Sequence, residues 1–343
     1  MNQDNRNLVM AIVLSAILVI AYQVFFEIPR QEKIEEQASL AKDELALVSP
    51  EETKITSNDS SKLDTPSQND EVVSARRINI ENSSVLGSIT LAGGRIDDLI
   101  LKNYTKTIDP ESEKIRLLKK INNQAPYFAE FGWIGKGDLS LPTGSTIWTS
   151  KNSSIEPGKP AILNFTSKEK LKFRRQFEIN EDYLIKVSDS VENNSTKEIT
   201  VYPYGLVRRT GLPKTDGLFI LHEGPLAVVD EKLHEVSYNN LIDDGDEILT
   251  AEKNGGWIGI TDKYWLAALI PDQSEKSEFA FRYANRSSGQ WQGDWRGSAK
   301  IIKPGEKVTV ISHLYAGAKI VTLLDEVEED LGAYRFDLAI DFG

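Results

Sequence analysis

Leu171–Val191 reads LKFRRQFEINEDYLIKVSDSV. Leu171, Phe173, Arg175, Phe177 and Ile179 alternate with Lys172, Arg174, Gln176 and Glu178. That period of two is the mark of a strand with one face buried. Asn180-Glu181-Asp182 supplies turn chemistry. Alternation then resumes on Tyr183, Ile185 and Val187, so the stretch predicts a β-hairpin. Further strands are expected at Arg76–Glu81, Thr200–Val207, Leu218–His222, Ala227–Val229, Trp257–Thr261, Tyr264–Ile270, Phe279–Tyr283 and Val308–Tyr315. The density predicts about 14 to 17 strands with no long helix between them, an all-β, two-sheet sandwich and not a series of βαβ units. The region 76–316 is expected to form this single domain, and it is long enough for one large core.

The sandwich is flanked by segments of different character. Leu8–Phe26 is uncharged, and its 19 residues span about 28 Å as a helix, close to the hydrocarbon thickness of a bilayer. A cleaved signal peptide has a shorter apolar run and a small-residue cleavage site. Here the run is long and closes on Tyr22, Phe25 and Phe26, which suit a membrane interface, so 8–26 reads as a transmembrane anchor. The weak positive bias around Arg6 places the N-terminus, residues 1–7, inside the cell. Residues 27–75 carry 12 acidic and 5 basic side chains, and none from Ile28 to Ala75 is aromatic. Such a segment cannot offset the entropy of ordering and reads as an acidic flexible linker, with a short helix possible over Gln31–Leu47.

After the sandwich, 317–343 is expected to be helical. Ile320, Leu323, Leu324 and Val327 share a face and are expected to dock on the sandwich, with Asp325, Glu326, Glu328, Glu329 and Asp330 opposite and Gly332 as the stop. A second amphipathic stretch follows, whose Phe336, Ile340 and Phe342 are expected in the membrane interface. It is still mid-pattern at Gly343, as though an apolar segment should follow.

Composition excludes several functions. The net charge of −12 holds no basic patch, so nucleic acid is not an expected partner. No cysteine is present, which removes disulfides, thiolate catalysis and Cys-type metal sites. The histidines are His222, His234 and His313, and none has a second ligand at metal spacing. His222 or His313 with a Glu is a conceivable acid–base pair of the kind found in sugar epimerases; an ordinary strand histidine is the reading preferred here. Asp243–Glu247 is acidic but lacks the spacing of a calcium loop, so it reads as a turn. Trp291 and Trp295, in GQWQGDWRG, read as loop indoles capping one end of the sandwich, with sugar or peptide stacking as the alternative. Trp257, Tyr264 and Trp265 read as core. No catalytic, cofactor-binding or metal constellation is visible, and a non-enzyme is expected.

Several strings resemble the YidC family of bacterial membrane protein insertases. They are Asn5-Arg6-Asn7-Leu8 opening into the apolar run, Leu91–Ile96 (LAGGRI) with Leu99–Tyr104, Gly255–Ile260 (GGWIGI) with Lys263–Pro271 (KYWLAALIP), and Phe336–Gly343 (FDLAIDFG). The resemblance implies an inner-membrane anchor with a cytoplasmic N-terminus and a periplasmic β-supersandwich of galactose mutarotase-like fold. It further implies interfacial helices leading to a membrane core that lies beyond Gly343. The implied activity is insertion and folding of inner-membrane proteins, alone or with the Sec translocon. Implied partners are inner-membrane lipid, nascent membrane protein clients, and the Sec translocon with its accessory subunits. The accessory-subunit contact is expected along Leu221–Asp244, at Glu231, Lys232 and Glu235. The groove residues that carry insertion in the family belong to the membrane core, so no insertase site is named here. The residues alone leave two classes open: this non-enzymatic module, or a membrane-anchored carbohydrate-binding or epimerase-like sandwich.

Overall fold

The computed structural model describes residues 70–135, 137, 139–213, 221–285 and 289–340. The expected anchor at 8–26, the linker up to residue 69 and Phe342 lie outside the described residues. The strands are β1 (Arg77–Glu81), β2 (Val85–Thr90), β3 (Arg95–Thr105), β4 (Lys114–Leu118), β5 (Tyr127–Gly135), β6 (Ser154–Ile155), β7 (Ala161–Thr166), β8 (Leu171–Ile179), β9 (Leu184–Asn193), β10 (Ile199–Thr210), β11 (Gly224–Val229), β12 (Lys232–Glu235), β13 (Glu247–Thr250), β14 (Trp257–Thr261), β15 (Trp265–Ile270), β16 (Ser277–Asn285), β17 (Gln290–Gly297), β18 (Lys300–Ile302) and β19 (Lys307–Ala318). Among the described residues three α-helices accompany them: α1 (Asp70–Val73), α2 (Tyr238–Asp244) and α3 (Val321–Leu331). Among the described residues no helix is long and apolar enough to cross a membrane.

The strands form two sheets. One has eleven strands in the order β13-β16-β17-β10-β5-β3-β2-β1-β6, with β18 on β10 and β4 on β3. The other has eight, in the order β12-β11-β14-β15-β19-β9-β8-β7. Pairing is antiparallel except between β1 and β6. The hairpin that opened the sequence reading is β8–β9, registered from Leu171 opposite Asn193 to Ile179 opposite Ile185. Its turn closes on the Asn180 side chain, which accepts from the backbone N–H groups of Asp182 and Leu184 at 3.0 Å each.

Arg175 stands on the inner face of β8 between Phe173 and Phe177, and it is 1% exposed. Its Nε donates to both oxygens of Asp189 on β9, at 2.9 and 3.1 Å. The remaining nitrogens cross to the other sheet. Nη1 donates to the carbonyls of Gly93 and Gly94, in the β2–β3 turn, and Nη2 to that of Phe131 on β5. The guanidinium also lies 5.0 Å from the Trp148 ring centroid. Gly93 and Gly94 are needed here twice over. Both have positive φ, 70° and 60°, and a Cβ on Gly94 would sit 3.1 Å from Arg175 Nη1. Burial pushes the Asp189 carboxyl upward, and Arg175 opposes that shift.

Three sequence expectations are corrected. GQWQGDWRG is not a loop: it is β17, pairing with β10 and β16, with Trp291 and Trp295 buried. Tyr264 is not core; it is 59% exposed at the β14–β15 turn, while Trp257 is fully buried. The strand expected at 218–222 falls partly outside the described residues, and Leu221 and His222 are not in a strand.

Because Asp189 would be left buried without its partner, Arg175→Ala is expected to lower the unfolding free energy by about 3–5 kcal/mol in a denaturant titration. A change below about 1 kcal/mol would show that the cross-sheet cluster contributes little.

Candidate functional site

β14 and β15 are buried on both faces, so something must cover the side that does not meet the other sheet. Ile258 of β14 faces the larger sheet, next to Gly293 of β17. Trp257 faces the opposite way, where the cover is the C-terminal segment. Gly317 near the end of β19 is filled closely by Tyr183, which a Cβ would strike at 2.1 Å, so the chain can pass under that ring. α3 then turns its apolar side inward: Leu324 and Val327 are buried, and Ile320 and Leu323 are half-buried against the same core. Gly332 ends the helix in the left-handed conformation.

The chain returns at Arg335, another left-handed residue, into a 3₁₀ turn over Phe336–Ala339. Phe336 is fully buried, its ring 5.0 Å from that of Trp257 and 5.6 Å from that of Tyr315, both edge-on. Two hydrogen bonds hold the return. Trp257 Nε1 donates to the Tyr334 carbonyl at 3.3 Å, and Phe336 N–H donates to Glu328 Oε2 at 3.0 Å. Phe336, expected from its amphipathic spacing to face a membrane interface, is instead covered by protein, against the outer face of the smaller sheet. Ile340 is half-buried, packing against the core and lining a groove beside it.

That groove, about 520 Å³, forms where three strands end. β3 brings Tyr104, β15 brings Trp265, and the end of β19 brings Ala318 and Lys319. Tyr104 meets Trp265 edge-on at 4.9 Å, and Tyr264 also meets it edge-on at 6.1 Å. The Lys263 ammonium lies 5.2 Å from the Tyr264 ring centroid. Lys319 Nζ donates to Thr261 Oγ1 at 3.1 Å, and its N–H to the Tyr264 carbonyl at 2.9 Å. The result is an aromatic trough lined also by Lys263 and Lys319, with the Glu223 carboxylate accepting from the Lys263 N–H at 3.2 Å. Sequence reading missed it, because Tyr104, Trp265 and Lys319 come from distant strands with no local motif among them.

Glu231, Lys232 and Glu235 lie at the edge of the smaller sheet, where, among the described residues, β12 pairs only with β11. Asp230 and Glu231 make the tight turn with positive φ, and Glu231 pairs with Lys253 at 2.8 Å. The histidines lie on different elements: His222 precedes β11, His234 is on β12 and His313 is on β19. His222 Nε2 is 3.0 Å from the Pro225 carbonyl. In the acidic turn, Asp246 takes Arg282 at 3.2 Å and the Tyr283 N–H at 3.1 Å. Among the described residues no group of three His, Asp or Glu side chains could hold a metal ion.

Residues 77–343 match the family model described as the YidC periplasmic domain. A curated relative from Rickettsia conorii, "Membrane protein insertase YidC", is 38% identical over 352 residues, which covers 100% of this chain and 60% of that protein. One of the same name from Methylobacterium radiotolerans is 36% identical over 370 residues, with the same coverage. The chain thus spans about 60% of the length of the curated relatives it matches. Among solved structures, a galactose mutarotase related enzyme from Lactobacillus acidophilus is 12% identical, with a TM-score of 0.48 over 70% of this chain and 97% of that one. A galactose mutarotase-like protein from Lactobacillus casei is also 12% identical, with a TM-score of 0.47 over 70% and 99%.

His313 is half-buried opposite Lys186 on β9. Burial, with Lys186 adding to it, lowers its pKa to about 4. An unfolded histidine takes up its proton near pH 6.5, so the unfolded state binds more protons between those values. Stability that His313 contributes above pH 6.5 is therefore expected to be lost as pH falls toward 4. Thermal melts of His313→Gln should lack that component, and identical pH profiles for variant and parent would contradict the assignment.

Proposed function

This chain belongs to the YidC family, and from that premise we propose that it is the anchor and periplasmic domain of a membrane protein insertase. The observation that carries the proposal is 36–38% identity to proteins of that name along the whole chain. In this reading the insertase assists the insertion and folding of inner-membrane proteins, alone or with the Sec translocon. Residues 8–26 span the inner membrane with the N-terminus in the cytoplasm, and the sandwich lies in the periplasm. The clients are handled by the membrane core, while this domain sets geometry and partners. The reading is non-enzymatic, in keeping with the insertase name of the relatives.

Two surfaces follow from the proposal. The end of the sandwich carrying Ile340 and the aromatic groove faces the bilayer, with Phe342 beyond it in the interface. The free edge at Glu231, Lys232 and Glu235 meets the Sec accessory subunits. A strand edge with exposed backbone groups suits such a contact, and charged side chains on it give selectivity.

A photo-crosslinking residue at Leu233 of the full-length protein is expected to give an adduct with a Sec accessory subunit in intact membranes. Reversing the charges of Glu231, Lys232 and Glu235 should abolish it, and an unchanged yield would rule out the edge contact. In the same cells, protease added outside spheroplasts should cleave the domain; full protection would overturn the periplasmic placement.

A further inference from the structure

The aromatic groove lies where the described residues end. Ile340 lines it, and Phe342 is two residues further along the chain. We propose that the groove seats the ring of Phe342, so that the chain docks its own next apolar side chain against Trp265 and Tyr264. The inference rests on the reading that this end faces the bilayer, and it gives a protein seat to the ring which that reading puts in the interface.

The backbone sets the register. The 3₁₀ turn closes at Ala339, and the Ile340 N–H donates to the Asp337 carbonyl at 3.0 Å. Ile340 itself is extended, with φ −103° and ψ 126°, so the turn does not continue through it. Side chains two apart on an extended chain share a face and lie about 7 Å from one another. Ile340 has its side chain in the groove wall. A chain that continues extended therefore brings Phe342 to the groove and turns Asp341 away from it. The groove suits a phenyl ring. It measures about 520 Å³ and is lined chiefly by aromatic and aliphatic side chains. Trp265 already takes Tyr104 and Tyr264 edge-on at 4.9 and 6.1 Å, and a further ring about 5–7 Å away extends such a cluster. Tyr264 is 59% exposed and Trp265 half-buried, so both have ring surface left to cover. Covering it is favourable in proportion to the apolar area removed from water. No free charge is required: Lys263 stays over the Tyr264 ring, and Lys319 keeps its bond to Thr261.

The test places p-benzoylphenylalanine at position 342 of the full chain, reconstituted into phosphatidylcholine vesicles. Irradiation is expected to join it to the tryptic peptide 264–276, which holds Tyr264 and Trp265, with lipid adducts alongside. Adducts with lipid but not with this peptide overturn the seat while leaving the bilayer-facing end in place. The peptide adduct without any lipid adduct supports the seat and counts against the bilayer-facing end. Adducts with neither overturn both readings. Trp265 then reports on the natural ring. The other five tryptophans, Trp133, Trp148, Trp257, Trp291 and Trp295, are at most 3% exposed, so acrylamide quenching reads Trp265. Phe342→Ala is expected to increase that quenching and to shift the emission to the red. Quenching equal to that of the parent overturns the seat. If the melt of Phe342→Ala moves, the crosslink decides.

Discussion

The guanidinium of Arg175 is the most fully buried charged group that ties the two sheets, and Tyr127 and Asn193 add hydrogen bonds of their own between them. A sandwich core made only of aliphatic and aromatic side chains fixes the distance between sheets better than it fixes their relative position. Here one planar cation, on the strand that first disclosed the fold, places directed hydrogen bonds on Asp189 in its own sheet and on the Gly93, Gly94 and Phe131 carbonyls of the other. Those bonds have geometry, so they specify registration. Gly94 is the complement of that demand, since a side chain there would push the guanidinium away, while Gly93 keeps clear of the Gly144 backbone.

Registration matters because the smaller sheet is used on both sides. Its inner face meets β17 through Ile258 and Gly293, and its outer face presents Trp257 and Tyr315 to the C-terminal segment. A shift between the sheets would move the rings between which Phe336 inserts. Residues 320–340 are thereby made part of the domain. Glu328 and Trp257 secure it from α3 and β14, and the aromatic groove forms in the angle left beside Ile340.

The all-β class was legible because alternation survives wherever one face of a strand is solvated, as in β8. It was least legible where both faces are covered or where glycine replaces a side chain. β17 looked like a loop because Gly293 and Gly297 break its pattern; both are small for packing reasons, with Ile258 and Pro203 occupying the space a Cβ would need. Strands of two to four residues, such as β6 and β18, are too short to show a period. The apolar face of α3 could be read from spacing, whereas the place of Phe336 could not. An amphipathic stretch shows that one face wants cover, not whether protein or lipid supplies it. The groove was invisible for a related reason: its aromatic and basic residues are brought together only by the order β15-β19 in one sheet and the length of β3 in the other.

The central claim is that the C-terminal segment is an integral part of the sandwich core. Native-state amide hydrogen exchange on the full chain tests it most directly. The account predicts that the amides of Leu324, Val327 and Phe336 open with the same free energy as those of Leu266–Leu269 in β15. Exchange of residues 321–340 at the level of the exposed turn at Asp109–Glu111, with β15 still protected, would contradict it.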